Sequence, residues 1–213
     1  MHIELQRVLP NEIEKRSFEI ITQELGERSI PPENEAIVKR VIHTTADFDY
    51  YDNLYLSPGA AARGIEALKQ GAVIVTDTNM AFSGINKPAL AKLGAEAFCF
   101  MADPDVAEAA KRNGTTRATQ CIDKALTLGR PLVFAIGNAP TALVRICELM
   151  DEGTLNPALI IGVPVGFVNV VESKELVLAR SAPCIVARGR KGGSNVAAAI
   201  CNALLYQATG RTL

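Results

Sequence analysis

The chain has 213 residues, of which 22 are Lys or Arg and 23 are Asp or Glu, so its formal net charge is −1. Hydrophobic residues make up 48% and charged residues 21% of the sequence, ordinary globular proportions that exclude a disordered chain. The near-neutral balance also argues against a sequence-independent nucleic-acid binder, which depends on excess positive charge. Any acidic ligand must therefore be held by locally placed cations.

The length and the cysteines indicate a single domain, residues 1–213, in a reducing compartment. No Pro-rich linker, low-complexity tract or repeat of fixed period divides the chain. The five cysteines are widely spaced and never arranged as C-x-x-C, so free thiols are expected rather than disulfides or a zinc knuckle. The first ten residues lack an apolar leader, and no apolar run approaches the roughly 20 residues of a spanning helix. We therefore expect a cytoplasmic protein with no membrane contact.

The N-terminal segment, residues 1–57, predicts two helices and an aromatic loop that cap the rest of the domain. In the first helix, Ile13, Ile20 and Ile21 share one face at helical spacing. Ser17 falls on that same apolar face, four residues after Ile13. The simplest interpretation of this serine is a hydroxyl that bonds back to a carbonyl of its own helix.

The second helix opens near Pro31 and carries Arg40 and His43 off its apolar stripe. If the helix persists through residue 45, Asp47 lies four residues beyond His43 and the three side chains are neighbours. Together they offer an anion hook, a group that exchanges a proton near neutral pH, and a carboxylate that orients the imidazole and raises its pKa. A structural cap at the helix end explains a lone histidine equally well.

Three carboxylates and three aromatic residues fall within residues 47–52, and Tyr55 follows. This composition is typical of a lid or a subunit contact. Asp47, Asp49 and Asp52, together with His43, are also conceivable metal ligands, but their spacing matches no specific motif. No metal site is therefore predicted.

From residue 58 onward the sequence alternates between apolar runs and helical patterns. Helix starts are readable where a polar residue precedes proline, as at Asp103 and Pro104. Parallel strands need right-handed helical crossovers, so the alternation predicts a doubly wound α/β core with a five-stranded, mainly parallel sheet covered on both faces. The predicted strands are residues 72–76, 96–101, 132–136, 158–161 and 184–187.

Ligands of such sheets bind beyond the carboxyl ends of the strands, so the segments that follow the strands are the candidate site. Segments 76–80 and 137–141 are polar, and segment 162–167 is rich in glycine, proline and valine. Segment 188–195 places three cations on a glycine-rich turn, whose free backbone N–H groups suit a carboxylate or phosphate. The candidate binding residues from these segments are Thr78, Asn79, Asn138, Arg188, Arg190, Lys191, Gly192, Gly193 and Ser194.

Several familiar chemistries are excluded by missing motifs. Segment 188–195 is not a Walker A sequence, and a faint glycine fingerprint at Gly137 lacks the acidic partner of a dinucleotide site. There is no G-x-S-x-G elbow for a hydrolase nucleophile. Most of the cysteines lie in apolar strand or helix patterns, where a thiol is normally inert. What remains is a pocket of Arg, Asn, Thr and backbone amides around a single histidine.

Five longer motifs resemble those of the family of precorrin-8X methylmutases and cobalt-precorrin-8 methylmutases. They are VIHTTADFDY at 41–50, TDTNM at 76–80, GNAPTAL at 137–143, GVPVGFVNVVESKE at 162–175 and RGRKGGSN at 188–195. The similarity runs from the first helix to the last. It therefore covers essentially the whole chain.

The resemblance implies a flavodoxin-like fold, a homodimer and no consumed cofactor. It implies an isomerase of cobalamin biosynthesis that moves a methyl group from carbon 11 to carbon 12 of the corrin ring, giving hydrogenobyrinate or cobyrinate. The resemblance makes His43 the residue that protonates or hydrogen-bonds the ring. It also gives Ser17 and Arg40 roles in substrate binding, which reverses the simpler interpretation of the serine.

The tetrapyrrole substrate of that family carries acetate and propionate groups, which local cations would bind. The candidates are Arg40, Arg117, Arg188, Arg190 and Lys191, because a guanidinium matches a carboxylate in a bidentate way. Tight retention of the corrin product and its hand-off to the next enzyme are further expectations. The competing hypothesis is a non-catalytic tetrapyrrole or flavin carrier, which would not need His43. The sequence leaves open whether the substrate contains cobalt.

Overall fold

The computed structural model describes residues 7–211. Residues 1–6, which include His2, and residues 212–213 lie outside it. The strands are β1 Leu54–Leu56, β2 Val73–Thr76, β3 Glu96–Phe98, β4 Leu132–Ile136, β5 Leu159–Gly162 and β6 Cys184–Ala187. The helices are α1 Ile13–Leu25, α2 Pro32–Thr45, α3 Tyr50–Asn53, α4 Ala60–Lys69, α5 Asn79–Gly84, α6 Lys87–Lys92, α7 Pro104–Asn113, α8 Arg117–Ala125, α9 Pro140–Asp151, α10 Val170–Leu178 and α11 Ser194–Ala208. A 3₁₀ turn, Leu126–Leu128, follows α8.

The six strands form one sheet in the order β1-β6-β5-β4-β2-β3. Strands β2 to β6 pair in parallel, and they coincide to within a few residues with the five strands expected from the sequence. Taken alone, these five have the order 2-1-3-4-5, which is the flavodoxin-like doubly wound arrangement. The predicted parallel α/β sheet is therefore confirmed.

The prediction of only five strands is wrong, because β1 adds a sixth at one edge. This three-residue strand pairs antiparallel with β6, with Tyr55 opposite Val186. The Ser57 hydroxyl fixes the same edge by accepting a hydrogen bond from the Cys184 N–H at 2.9 Å. A strand of three residues is too short to show an alternating pattern, so the aromatic loop concealed it.

The sheet is the middle of three layers. One core cluster combines the sheet face of Ile74 and Ile161 with α2, α4 and α11, and the other combines the face of Val75 and Phe134 with α7, α8 and α9. Alternate residues of each buried strand thus face opposite helical layers, which is why the strands are almost continuously apolar. The α/β/α layering expected from the sequence is confirmed.

The N-terminal segment shares the core of the domain. Helix α2 buries Ile37 and Val41 completely and packs along α11, while α1 packs on α2. Helix α2 ends where Ala46 adopts a left-handed conformation with φ 52°, which turns the chain toward α3. The two helices therefore belong to the layer on one face of the sheet, and β1 belongs to the sheet itself. Among the residues described, none of the helices is long and apolar enough to cross a membrane.

Candidate functional site

Asp77 organises the loops at the switch point of the sheet, where β2 and β4 lie side by side. Its side chain is 2% exposed and accepts backbone N–H hydrogen bonds from Gly137, Asn138 and Ala139 at 2.6–2.9 Å. One carboxylate thus joins the segment after β2 to the segment after β4. Asn138 is held at the carboxyl edge of the sheet with its side chain exposed.

The beginning of α11 closes tightly over this junction. The hydroxyls of Thr78 and Ser194 are 2.7 Å apart, and Thr78 also caps α5 by accepting a hydrogen bond from the Ala81 N–H. A side chain at Gly137 would lie 2.7 Å from the Ser194 Cα, so the two segments need a glycine to approach. The structure therefore brings Thr78, Asn138 and Ser194 together, while Asn79 begins α5 beside them and is exposed.

Residues 188–193, the cation loop, lie between β6 and α11. The loop is anchored to the segment after β5, because Gly193 donates to the Val163 carbonyl at 2.8 Å. At Gly192 φ is 156°, and a Cβ there would lie 2.1 Å from the same carbonyl oxygen. The Arg190 guanidinium lies over the ring of the exposed Phe167, 5.4 Å from its centroid. Two glycines therefore allow the close packing that presents the cations.

Lys191 links the cation loop to the end of α2. Its Nζ donates to carboxylate oxygens of Asp47 and Asp49, each at 2.6 Å. These bonds hold the pKa of Asp47 below its usual range. The predicted pairing of Asp47 with His43 is therefore wrong, because α2 ends at Thr45 and the following turn directs the carboxylate to the lysine. The same salt bridges occupy Asp47 and Asp49, two of the three carboxylates considered as metal ligands.

His43 lies at the mouth of a cavity of about 240 Å³ between α1 and α2. Its imidazole is exposed on one side and stacks on Phe18 on the other, with ring centroids 5.4 Å apart. Apolar side chains, among them Ile21 and Phe48, form much of the cavity wall, and Ser17 lies at its edge. The cavity is smaller than a typical pocket for a drug-sized ligand, so a large flat molecule would extend over the surrounding surface.

The pKa of His43 is lowered rather than raised. Partial burial of the ring is the largest cause, the charge of Arg40 adds to it, and the charge of Glu14 opposes it. The predicted upward shift depended on Asp47, which is committed to Lys191. In the free protein at neutral pH, the neutral imidazole therefore predominates, and it carries one N–H donor and one acceptor.

Arg40 is a buried cation with unused hydrogen-bonding capacity. Its side chain is sandwiched between the rings of Phe18 and Tyr206, with centroid distances of 4.9 and 5.2 Å. Nη1 bonds to Glu14 of α1, whereas the buried Nε and Nη2 have no partner among the described residues. Buried guanidinium donors normally have acceptors. This arrangement suits an additional anionic group.

Ser17 fits both interpretations of its position. Its hydroxyl donates to the Ile13 carbonyl at 2.9 Å, as its helical spacing predicts. The same oxygen retains acceptor capacity at the edge of the cavity that His43 borders. The back bond therefore orients the hydroxyl without excluding a ligand.

Two of the predicted cations lie apart from Ser17, Arg40 and His43. Arg188 stacks on Tyr55 at 4.9 Å and borders a second cavity, of about 340 Å³, beside β1. Arg117 is the exposed first residue of α8, which belongs to the helical layer on the other face. Its neighbour Thr116 bonds to the Thr141 hydroxyl at 2.9 Å, so Arg117 still lies on the carboxyl side of the sheet.

Sequence reasoning missed four residues that shape the site. Glu14, Phe18 and Tyr206 surround Arg40, and Asp77 joins the two central loops. Glu14 lies three residues before Ser17, so helical spacing could have placed it on the same face. No local signal could have placed Tyr206, because α11 meets α2 only in the folded chain.

The cysteines lack the environment of a nucleophile. All five are free, and four are buried. Burial raises the pKa of the Cys121 and Cys201 thiols to about 12. A thiol with so high a pKa is unreactive at neutral pH. Within residues 7–211, no cluster of His, Cys, Asp and Glu has the arrangement of a metal site.

Known proteins are similar to this chain in sequence and in fold. The sequence profile described as precorrin-8X methylmutase matches residues 12–207. A cobalt-precorrin-8 methylmutase of Salmonella typhimurium is 47% identical over 203 residues, covering 92% of this chain and 95% of the relative. One of Leptospira interrogans is 46% identical over 211 residues, covering 95% of this chain and 96% of the relative. The structure of a precorrin-8x methyl mutase from Thermus thermophilus matches with a TM-score of 0.86 and 37% identity, covering 95% of this chain and all of that one.

The fold and these relatives first define a class, a doubly wound α/β isomerase with its candidate site at the carboxyl edge of a parallel sheet. The family can be stated more narrowly than the fold, because the precorrin-8X methylmutase profile matches more than nine tenths of the chain. The chain belongs to the precorrin-8X methylmutase family. It is accordingly a methylmutase of cobalamin biosynthesis.

Proposed function

We propose that the chain moves the methyl group of precorrin-8X, or of its cobalt form, from carbon 11 to carbon 12 of the ring, with His43 as the donor to the substrate. The observation that carries this assignment is the placement of His43. The imidazole lies at a largely apolar cavity and stacks on Phe18. It is next to the buried Arg40, two of whose nitrogens have no partner among the described residues. A flat ring laid over Phe48 and the cavity wall would cover the exposed edge of the imidazole.

His43 donates a proton or a hydrogen bond to the ring system as its conjugation changes. The migrating methyl stays within the substrate, so the reaction needs no protein nucleophile. Stabilising the altered ring more than the ground state lowers the barrier. Because the covering substrate excludes water from the imidazole, the donated hydrogen bond is stronger there than in solvent.

Cations around the site bind the carboxylate groups at the edge of the substrate. Arg40 has two buried nitrogens without partners among the described residues, and Arg190 is exposed on the cation loop. Lys191 is exposed beside it but shares its charge with Asp47 and Asp49. Arg117 and Arg188 lie farther from His43 and would reach carboxylates on more distant parts of the ring. Thr78, Asn79, Asn138, Gly192, Gly193 and Ser194 supply uncharged hydrogen-bonding groups along the same edge.

The names of the relatives support testing the cobalt substrate first. The relatives at 46% and 47% identity are both named for cobalt-precorrin-8. The relative from Pseudomonas aeruginosa, named for precorrin-8X, is 40% identical. We propose further that the protein is a cytoplasmic homodimer that retains its corrin product for hand-off to the next enzyme. Light scattering of the purified protein tests the dimer.

The test of the proposed function is a comparison of native protein with His43→Ala on both substrates, followed by visible absorption. We expect the native protein to convert at least one of them, and His43→Ala to bind it but turn over roughly 10²- to 10⁴-fold more slowly, the usual contribution of one general acid. Lys111→Ala, an exposed change on α7, is the matched control. Equal turnover by folded His43→Ala would remove His43 from the mechanism, and binding without conversion by native protein would support a carrier instead.

A further inference from the structure

Lys174 is a fully buried lysine to which the proposed reaction gives no role. It lies on α10 with 0% exposure, and no carboxylate pairs with it among the described residues. Its Nζ donates instead to the backbone carbonyls of Gly189 at 2.7 Å and Lys191 at 2.9 Å. Burial lowers its pKa to about 8. A buried amine costs free energy that an apolar side chain of similar size would not.

The bonds of this lysine turn the peptide groups of the cation loop. The carbonyls of Gly189 and Lys191 point inward to the buried amine, and the Arg190 carbonyl between them accepts from the Gly166 N–H at 3.2 Å. In a trans peptide, the C=O of one residue and the N–H of the next point in opposite directions. The N–H groups of residues 190 and 192 therefore point away from the buried amine, and the N–H of Lys191 points away from Gly166.

These three N–H groups are unused within the chain. None of them, nor the N–H of Gly189, has a hydrogen-bond partner among residues 7–211, whereas the N–H groups of Arg188 and Gly193 donate to the carbonyls of Asn53 and Val163. The exposed side chain of Arg190 accompanies them, as does that of Lys191, whose charge is shared with Asp47 and Asp49. Successive outward N–H groups beside cations are a good environment for a carboxylate.

We propose that Lys174 is a positioning residue, which holds the cation loop so that the N–H groups of residues 190–192 bind a carboxylate of the substrate. The inference rests on the proposed function, which supplies a polycarboxylate ligand. Packing alone would be served by methionine, which fills a similar volume without a charge. The amine is needed because two inward carbonyls of an irregular loop require donors that α10 cannot supply from its backbone.

The test compares native protein, Lys174→Met, Lys174→Gln and the exposed control Lys111→Met in steady-state turnover and in titrations with hydrogenobyrinate. We expect Lys174→Met to raise KM and the product Kd about tenfold, the equivalent of one hydrogen-bonded contact, with kcat within about twofold of native. Lys174→Gln keeps two amide N–H donors and should fall between Lys174→Met and native protein. It also serves as the test protein if Lys174→Met does not fold.

A direct readout follows the amides themselves. In ¹⁵N-labelled native protein, hydrogenobyrinate should shift the amide resonances of residues 190–192, and in the folded Lys174 variants these shifts should shrink. Unchanged KM and Kd in a folded variant, or native amides that ignore the bound product, would overturn the positioning role alone. Native protein that neither binds nor converts a corrin would overturn the proposed function and this inference with it.

Discussion

His43 lies between a cation and a carboxylate that come from different helices. Arg40 lies one turn before it on α2, and Glu14 reaches across from α1 to bond to Arg40. Arg40 lowers the pKa of His43 and Glu14 raises it, while partial burial has the largest effect and lowers it. The protonation state of the imidazole therefore depends on a balance that single substitutions can shift in either direction.

Two substitutions should move the pKa of His43 in opposite directions. Arg40→Met removes the neighbouring positive charge, while Glu14 keeps its salt bridge to Arg211, so the pKa of His43 should rise. Glu14→Gln removes the opposing negative charge, so the pKa should fall below the native value. The chain has two histidines, so ¹H NMR titration of the imidazole C2 protons measures His43 directly, with His2 as the internal control. Shifts of the same sign in both variants would mean that the charges do not act on the ring as the structure places them.

The cation loop is the element whose conformation depends most on its neighbours. It is anchored by Gly193 to Val163, by the Lys174 amine, and by the Lys191 salt bridges to Asp47 and Asp49. These contacts come from three different parts of the chain. The loop therefore transmits the packing of α10 and the end of α2 to the exposed cations.

Two glycines of this loop should respond differently to alanine. At Gly192 a Cβ would lie 2.1 Å from the Val163 carbonyl oxygen, so Gly192→Ala must displace backbone. At Gly189 φ is 74° but nothing lies within 4 Å, so Gly189→Ala should cost only the left-handed strain of about 1–2 kcal/mol. Thermal unfolding should rank native above Gly189→Ala above Gly192→Ala. Hydrogenobyrinate binding should weaken most in Gly192→Ala. If Gly192→Ala had the same Tm as Gly189→Ala, the close approach of Gly192 to the Val163 carbonyl would be contradicted.

The whole molecule is built around one sheet. The N-terminal segment contributes an edge strand to this sheet and a helix to the layer that covers it. Strand β1 covers the open edge of β6, and α2 lies along α11 in the same layer. Ile37 and Ile42 of α2 are at most 1% exposed. Removing the segment would expose the edge of β6 and one side of α11 together.

We expect the fragment 58–213 not to fold stably alone. The buried isoleucines and valines of α2, which are Ile37, Val38, Val41 and Ile42, contribute about 2 kcal/mol each by burial, so their combined loss is comparable to the whole margin by which a domain is stable. Circular dichroism melts and size-exclusion chromatography of the fragment and the full chain check this. Adding a separate 1–57 peptide should restore a cooperative transition. A fragment that melts like the full chain would make the N-terminal segment a separable cap.

By itself, the sequence determined the five parallel strands, because a strand buried on both faces is a short apolar run bounded by turn and cap residues. It also placed the candidate site in the segments after those strands and singled out His43, because these features depend on local pattern and on rare residue types. The sequence could not determine that β1 pairs with β6, that Lys191 takes Asp47 away from His43, or that Glu14 pairs with Arg40. Those contacts join residues far apart in the chain, and only the packing of the layers decides which distant side chains meet.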